Sequence, residues 1–177
     1  MSEGARQDVA RKGGGPATSE DPAQRARDIA LRLLNHSARS AAQLREGLVS
    51  REVAPEVADE VIERYREVGL LDDAALSAAI VRARHRERGK SRRAILEELR
   101  RKGFEAQDID AALAQITDDD EQDAARALAV KRWNQLDGVD RDKRVRRVVG
   151  MLGRKGYSPS DAFALVRELE NADNSDT

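Results

Sequence analysis

Between Arg82 and Lys102 the sequence carries ten basic residues against three glutamates, Glu87, Glu97 and Glu98. Seven of the ten are Arg82, Arg84, Arg86, Arg88, Lys90, Arg92 and Arg93, and the other three are Arg100, Arg101 and Lys102. The planar guanidinium fork binds phosphate or carboxylate through paired hydrogen bonds. On a helix Arg82 and Arg86 share a face, as do Arg84 and Arg88. A second basic region runs from Lys131 to Lys155, with nine basic residues against three Asp. It holds Arg141, Lys143, Arg144, Arg146 and Arg147, then Arg154-Lys155. The acids are too few to pair most of these cations. Both segments therefore point to phosphate backbone or to an acidic protein surface.

Other chemistry is poorly supported. His36 and His85 stand alone, with no metal-ligand spacing around them, and read as surface residues. Asp118 to Asp123 holds five acids and no base. It lacks the glycine and the spaced glutamate of a calcium loop, and reads as a solvated linker capping a helix over 121–134. No glycine-rich phosphate cradle follows a strand. The chain is therefore read as non-enzymatic, with no cofactor and no metal. Only 3% of residues are aromatic, and none interleaves with the basic run, so base stacking is weakly supported. Trp133, after Lys131-Arg132, reads as core.

The elements that position these cations repeat. Ser40-Ala-Ala-Gln-Leu44 with Leu48 and Val53 recurs 51 residues on as Ser91 with Ile95, Leu99 and Phe104. It recurs 53 residues further as Val148, Leu152 and Tyr157. A period near 50 residues indicates stacked modules. Ser40 with Gln43 forms a capping box, and Ser91 caps the equivalent helix. Pro55 and Pro159 suit the first turn of the next helix, with Ser158 and Asp161 capping the last. In Gly69-Leu70-Leu71-Asp72-Asp73, Gly69 ends a helix, both leucines plug the joint between modules, and an Asp caps the next helix.

The expected fold is all-α: an elongated array of three tandem three-helix modules. Residues 1–22 form a flexible tail, modules occupy 23–71, 72–117 and 118–170, and 171–177 are a flexible end. Opening helices are expected near 24–36, 73–88 and 121–134. No apolar run is long enough for a membrane span, and no signal-peptide core is seen. The absence of cysteine suits a reducing cytoplasm.

The ordered set Arg39-Ser40 with Leu44-Arg45, Gly69-Leu-Leu-Asp-Asp73, Glu97-Glu-Leu-Arg-Arg-Lys-Gly-Phe104 and Arg154-Lys-Gly-Tyr-Ser158 resembles the RecX family. The similarity covers about residues 24–169. Glu52-Val53 departs from it, standing where the family often has Lys-Gly. The resemblance implies a regulator that binds the RecA recombinase, lodges in the groove of the RecA–DNA filament, and limits filament extension, ATP hydrolysis and strand exchange. DNA would be bound weakly or within the filament, by a monomer. The alternative is a helical DNA-binding protein acting directly through helix-turn-helix-like modules. The candidate contacts are Arg82, Arg84, Arg86, Arg88, Lys90, Arg92, Arg93, Arg100, Arg101, Lys102, Arg144, Arg147, Arg154 and Lys155.

Overall fold

The computed structural model describes residues 21–175. Among them lie nine α-helices and no strand. The first triplet is α1 (Pro22–His36), α2 (Ala41–Val49) and α3 (Pro55–Glu67). The second is α4 (Asp73–Arg82), which passes into a π-helical turn at Ala83–Glu87, then α5 (Arg92–Arg101) and α6 (Ala106–Leu113). The third is α7 (Asp118–Asn134), α8 (Arg141–Arg154) and α9 (Pro159–Ser175). Helices pack mainly within their own triplet, and each triplet encloses its own core.

The repeated apolar pairs are the centres of those cores. Leu44 and Leu48, Ile95 and Leu99, and Val148 and Leu152 are all fully buried. Each such side chain contributes about 1.5–3 kcal/mol relative to exposure. Val53, Phe104 and Tyr157 close the same cores five residues later. The expected caps are formed. The Ser40 hydroxyl accepts from the Gln43 N–H at 3.1 Å while the Gln43 side chain accepts from the Ser40 N–H at 3.2 Å. Ser91 accepts from the Ala94 N–H, and Ser158 from the Asp161 N–H.

Successive modules join at these same caps. The Ser40 hydroxyl also donates to the Lys102 carbonyl, in the turn that ends α5. The Ser91 N–H donates to the Lys155 carbonyl at 2.9 Å, in the turn that ends α8. Each turn carries a left-handed glycine, Gly103 (φ 73°) or Gly156 (φ 95°). A Cβ at Gly103 would lie 2.5 Å from Ala42 Cβ. A Cβ at Gly156 would lie 2.5 Å from Ala94 Cβ and would also strike the Ser91 hydroxyl. Glycine is thus required twice over, by its φ and by the module pressed against it. Glu52 occupies the same place in the first copy with φ 64°, but it is exposed.

Several sequence expectations change. Residues 1–20 of the expected tail lie outside the described residues, while Asp21 caps α1 and Pro22 begins it. The expected flexible end is helical as far as Ser175, because Asp173 anchors it to Trp133 and Arg144. The acidic run is the first turn of α7, three residues earlier than expected, since Thr117 and Asp120 form a capping box there. Acidic side chains in a first turn also suit the positive end of the helix dipole. Of the two leucines expected to plug the first joint, only Leu71 is buried, and Leu70 is 54% exposed. Asp72 caps α4, whereas Asp73 accepts from the Ala41 N–H across the joint. Gly47, inside α2, leaves room for Leu33 of α1, whose Cδ1 would sit 2.9 Å from an added Cβ.

The joint predicts unequal costs for two left-handed glycines. Gly69 (φ 73°) has nothing within 4 Å of an added Cβ, so Gly69→Ala should cost only the backbone strain, about 1–2 kcal/mol. Gly156→Ala adds a steric clash between modules and should cost about 2–4 kcal/mol. Urea midpoints of the two variants check the difference.

Candidate functional site

The two basic segments divide into cations held inside the fold and cations left on its surface. The π-helical turn makes the first division. It carries Arg84 toward α5, where Nε lies 2.9 Å from both carboxylate oxygens of Glu98. Lys90 Nζ lies 3.0 Å from the same carboxylate. The Arg84 and Glu98 side chains are only 24% and 10% exposed. Hydrogen bonding from Arg84 holds the Glu98 carboxyl at about 2, against the opposing effect of burial, with Lys90 adding to the depression. His85, expected on the surface, is buried, with Nδ1 3.1 Å from the Lys90 carbonyl. Arg84 and Lys90 thus belong to a partly buried ion cluster around Glu98, and a partner contact through either would compete with that carboxylate.

Others in the expected set hold modules, or helices within one module, together. Arg92 pairs with Asp118 at 2.9 Å, and its N–H donates to Glu121 at 2.8 Å. Lys155 Nζ donates to the Arg88 carbonyl at 2.5 Å. The neighbouring Tyr157 hydroxyl donates to the Gly89 carbonyl at 3.1 Å. Burial pushes that hydroxyl up to about 12, so it remains a donor. Arg144 lies 3.8 Å over the Trp133 ring and bonds Asp173 at 2.9 Å. Trp133, core as expected, donates its indole N–H to the same Asp173 carboxylate. Cation–π contact and charge pairing fix Arg144 against α7 and α9.

The remaining cations reach solvent. Arg82, Arg86 and Arg88 are exposed along the end of α4 and its π-helical turn, Arg93, Arg100 and Arg101 on α5, and Arg147 and Arg154 on α8. Lys102 is half-buried, and its carbonyl meets the first module. Arg82 reaches Gln115 at 3.3 Å, and Arg100 lies 3.6 Å from Glu97. Among the described residues, Arg86, Arg88, Arg93, Arg101, Arg147 and Arg154 have no carboxylate within 4 Å. Such guanidinium groups are available to an anionic partner without first breaking an internal pair. No cluster of potential metal ligands occurs among the described residues, the acidic first turn of α7 included. No described helix is long and apolar enough to cross a membrane.

Three family models match the three triplets in order: RecX, first three-helix domain, over 26–64; second, over 72–113; and third, over 118–166. The chain belongs to the RecX family. It is 46% identical over 157 residues to the regulatory protein RecX of Streptomyces coelicolor, covering 89% of this chain and 84% of the relative. It is 43% identical over 155 residues to that of Thermobifida fusca, covering 88% and 84%. The crystal structure of RecX from Lactobacillus salivarius superposes with a TM-score of 0.70 at 21% identity, covering 84% of this chain and 97% of that one. A second RecX crystal structure gives a TM-score of 0.67 at 26% identity, covering 84% and 72%. Family membership accounts for the tandem triplets, and the relatives' name describes regulatory proteins.

The ion cluster in this RecX-family chain predicts a pH dependence. The folded carboxyl at about 2 lies below the ordinary value of 4.5 for Glu98. A depressed acid stabilises the fold above its unfolded value and loses that effect as the pH falls through the folded one. The Glu98 contribution should therefore be complete above about pH 4.5 and fade toward pH 2, by up to about 3 kcal/mol. Glu98→Gln should be less stable at pH 7 and should flatten that acid limb in urea titrations at successive pH values.

Proposed function

We propose that this chain regulates the RecA recombinase, chiefly by inhibition, through binding in the groove of the RecA–DNA filament. In this reading it limits filament extension, ATP hydrolysis and strand exchange, acts as a monomer in the cytoplasm, and carries out no chemistry of its own. The supporting observation is that a RecX-family scaffold leaves a set of exposed, unpaired guanidinium groups on two modules that are hydrogen-bonded to each other. A nucleoprotein filament groove presents phosphates and acidic side chains at regular spacing. A tandem array meets that geometry with several weak charge contacts held in fixed relation, and such contacts multiply through effective concentration. Arg86, Arg88 and Arg93 are the proposed contacts on the second module, with Arg147 and Arg154 on the third.

The charge of the third helices argues against direct helix-turn-helix reading of duplex DNA. α3 carries Arg64 and Arg66 against five acidic residues, and α6 carries Asp108 and Asp110 with no base. α9 carries Arg167 against Asp161, Glu168, Glu170 and Asp173. A recognition helix enters a groove walled by phosphates and is ordinarily basic.

The test is RecA's ATP hydrolysis on single-stranded DNA with added protein. The native chain should inhibit well below one molecule per RecA, as a block to filament extension requires. Arg86→Glu/Arg88→Glu/Arg93→Glu should lose most of that inhibition with unchanged helicity by circular dichroism. Full inhibition by the triple variant would contradict the assigned contacts, and no inhibition by the native chain would contradict the function.

A further inference from the structure

The third module has an open groove between α8 and α9. It encloses about 580 Å³ and is lined by Val145, Arg146, Phe163, Val166, Arg167 and Glu170, with Arg141 and Asp142 at one end. Phe163 is 45% exposed, and is one of the few large apolar side chains on the described surface. Val166 beneath it is buried and Val145 is half-buried, so the floor is apolar.

The charges around this floor are unevenly matched. Arg141 Nε lies 2.7 Å from Glu170, and its NH1 lies 3.5 Å from Asp142. One guanidinium thus faces both carboxylates of the groove. Arg146 donates through Nε to the Asp142 carbonyl at 3.2 Å. Arg167 follows Phe163 by four residues on α9, so the ring and the cation share one face. Both Arg146 and Arg167 are exposed, with no carboxylate within 4 Å among the described residues.

A half-exposed aromatic ring sharing one groove with two available guanidinium groups, over an apolar floor, fits a ligand that alternates flat rings with monoanions. We propose that this groove binds single-stranded nucleic acid, with an unpaired base stacked on Phe163 and flanking phosphates on Arg146 and Arg167. Duplex DNA keeps its base faces inside the stack and could use only the cations. A flat face serves any base, so binding here is tolerant of sequence. The groove shares α8 with Arg147 and Arg154, assigned above to the filament, but its proposed contacts Phe163, Arg146 and Arg167 are different residues, and binding at it requires no RecA.

The test is fluorescence anisotropy of the full chain with a labelled 20-nucleotide oligothymidylate, beside an abasic oligomer of equal length. Phe163→Ala should weaken oligothymidylate binding about five- to hundred-fold, the usual range for losing one stacked base. It should leave abasic binding and the salt dependence unchanged. Arg146→Gln/Arg167→Gln should weaken both oligomers and flatten the salt dependence. Phe163→Trp should restore binding, and its added fluorescence should be quenched by oligothymidylate. Equal affinity for the two oligomers together with an unaffected Phe163→Ala variant would overturn the proposal. So would binding of an acidic peptide that depends on Phe163 while oligothymidylate binding does not. Because RecA is absent, neither result bears on filament regulation.

Discussion

The arrangement depends on the docking of a glycine turn onto the start of the preceding module's second helix. A helix N-terminus leaves N–H groups without intrahelical partners, and these must be satisfied where they are shielded from water. At α5 the Ser91 N–H is taken by the Lys155 carbonyl, the Arg92 N–H by Glu121, and the Ala94 N–H by the Ser91 hydroxyl. Two of those three acceptors belong to the third module. At α2 the Ala41 N–H is taken by Asp73 of the second module, and the Ser40 hydroxyl reaches the Lys102 carbonyl. The unmet hydrogen bonds of one module are therefore the adhesive for the next. The turn must approach the helix backbone closely, so it ends in glycine.

This constraint explains where the repeat varies. Both parts of the joint, the serine cap and the glycine turn, are kept where two modules meet. Glu52 holds the turn position in the first copy, and its side chain is exposed. Arg144 holds the serine position in the third copy, inside α8 and against Trp133. Charge follows the same division. Where a cation is enclosed it has a carboxylate or carbonyl partner, because an unpaired enclosed charge would cost several kcal/mol, on the order of the whole stability margin. Among the cations open to water some are paired, as Arg100 is with Glu97, and function is assigned to those that are not.

Much of the scaffold was readable from spacing alone. Caps, prolines and the i, i+4 apolar pairs act locally, so Ser40, Ser91, Pro55, Pro159 and the buried leucines stand where their spacing predicts. The basic segments were harder because a cation's role depends on what lies across from it. Arg84 and Arg88 share a face on a regular α-helix, but the π-helical turn at Ala83–Glu87 sends Arg84 inward to Glu98 and leaves Arg88 exposed. The acidic residues opposite, Glu98 and Asp118, are 14 and 26 residues from their arginines. Asp173 anchors α9 through Trp133, 40 residues earlier, which local composition could not show. The spacing of Phe163 and Arg167 was visible, but the exposure of the ring was not.

Coupling of the modules through their helix starts is the central claim, and amide hydrogen exchange at Ser91 tests it most directly. Its N–H is bonded only across the joint, to the Lys155 carbonyl. Protection approaching that of the Ile95 and Leu99 amides, and lost selectively on Gly156→Ala, is the predicted result. Exchange at Ser91 as fast as at an exposed turn amide, with the α5 core still protected, would show that the modules move independently and contradict the account.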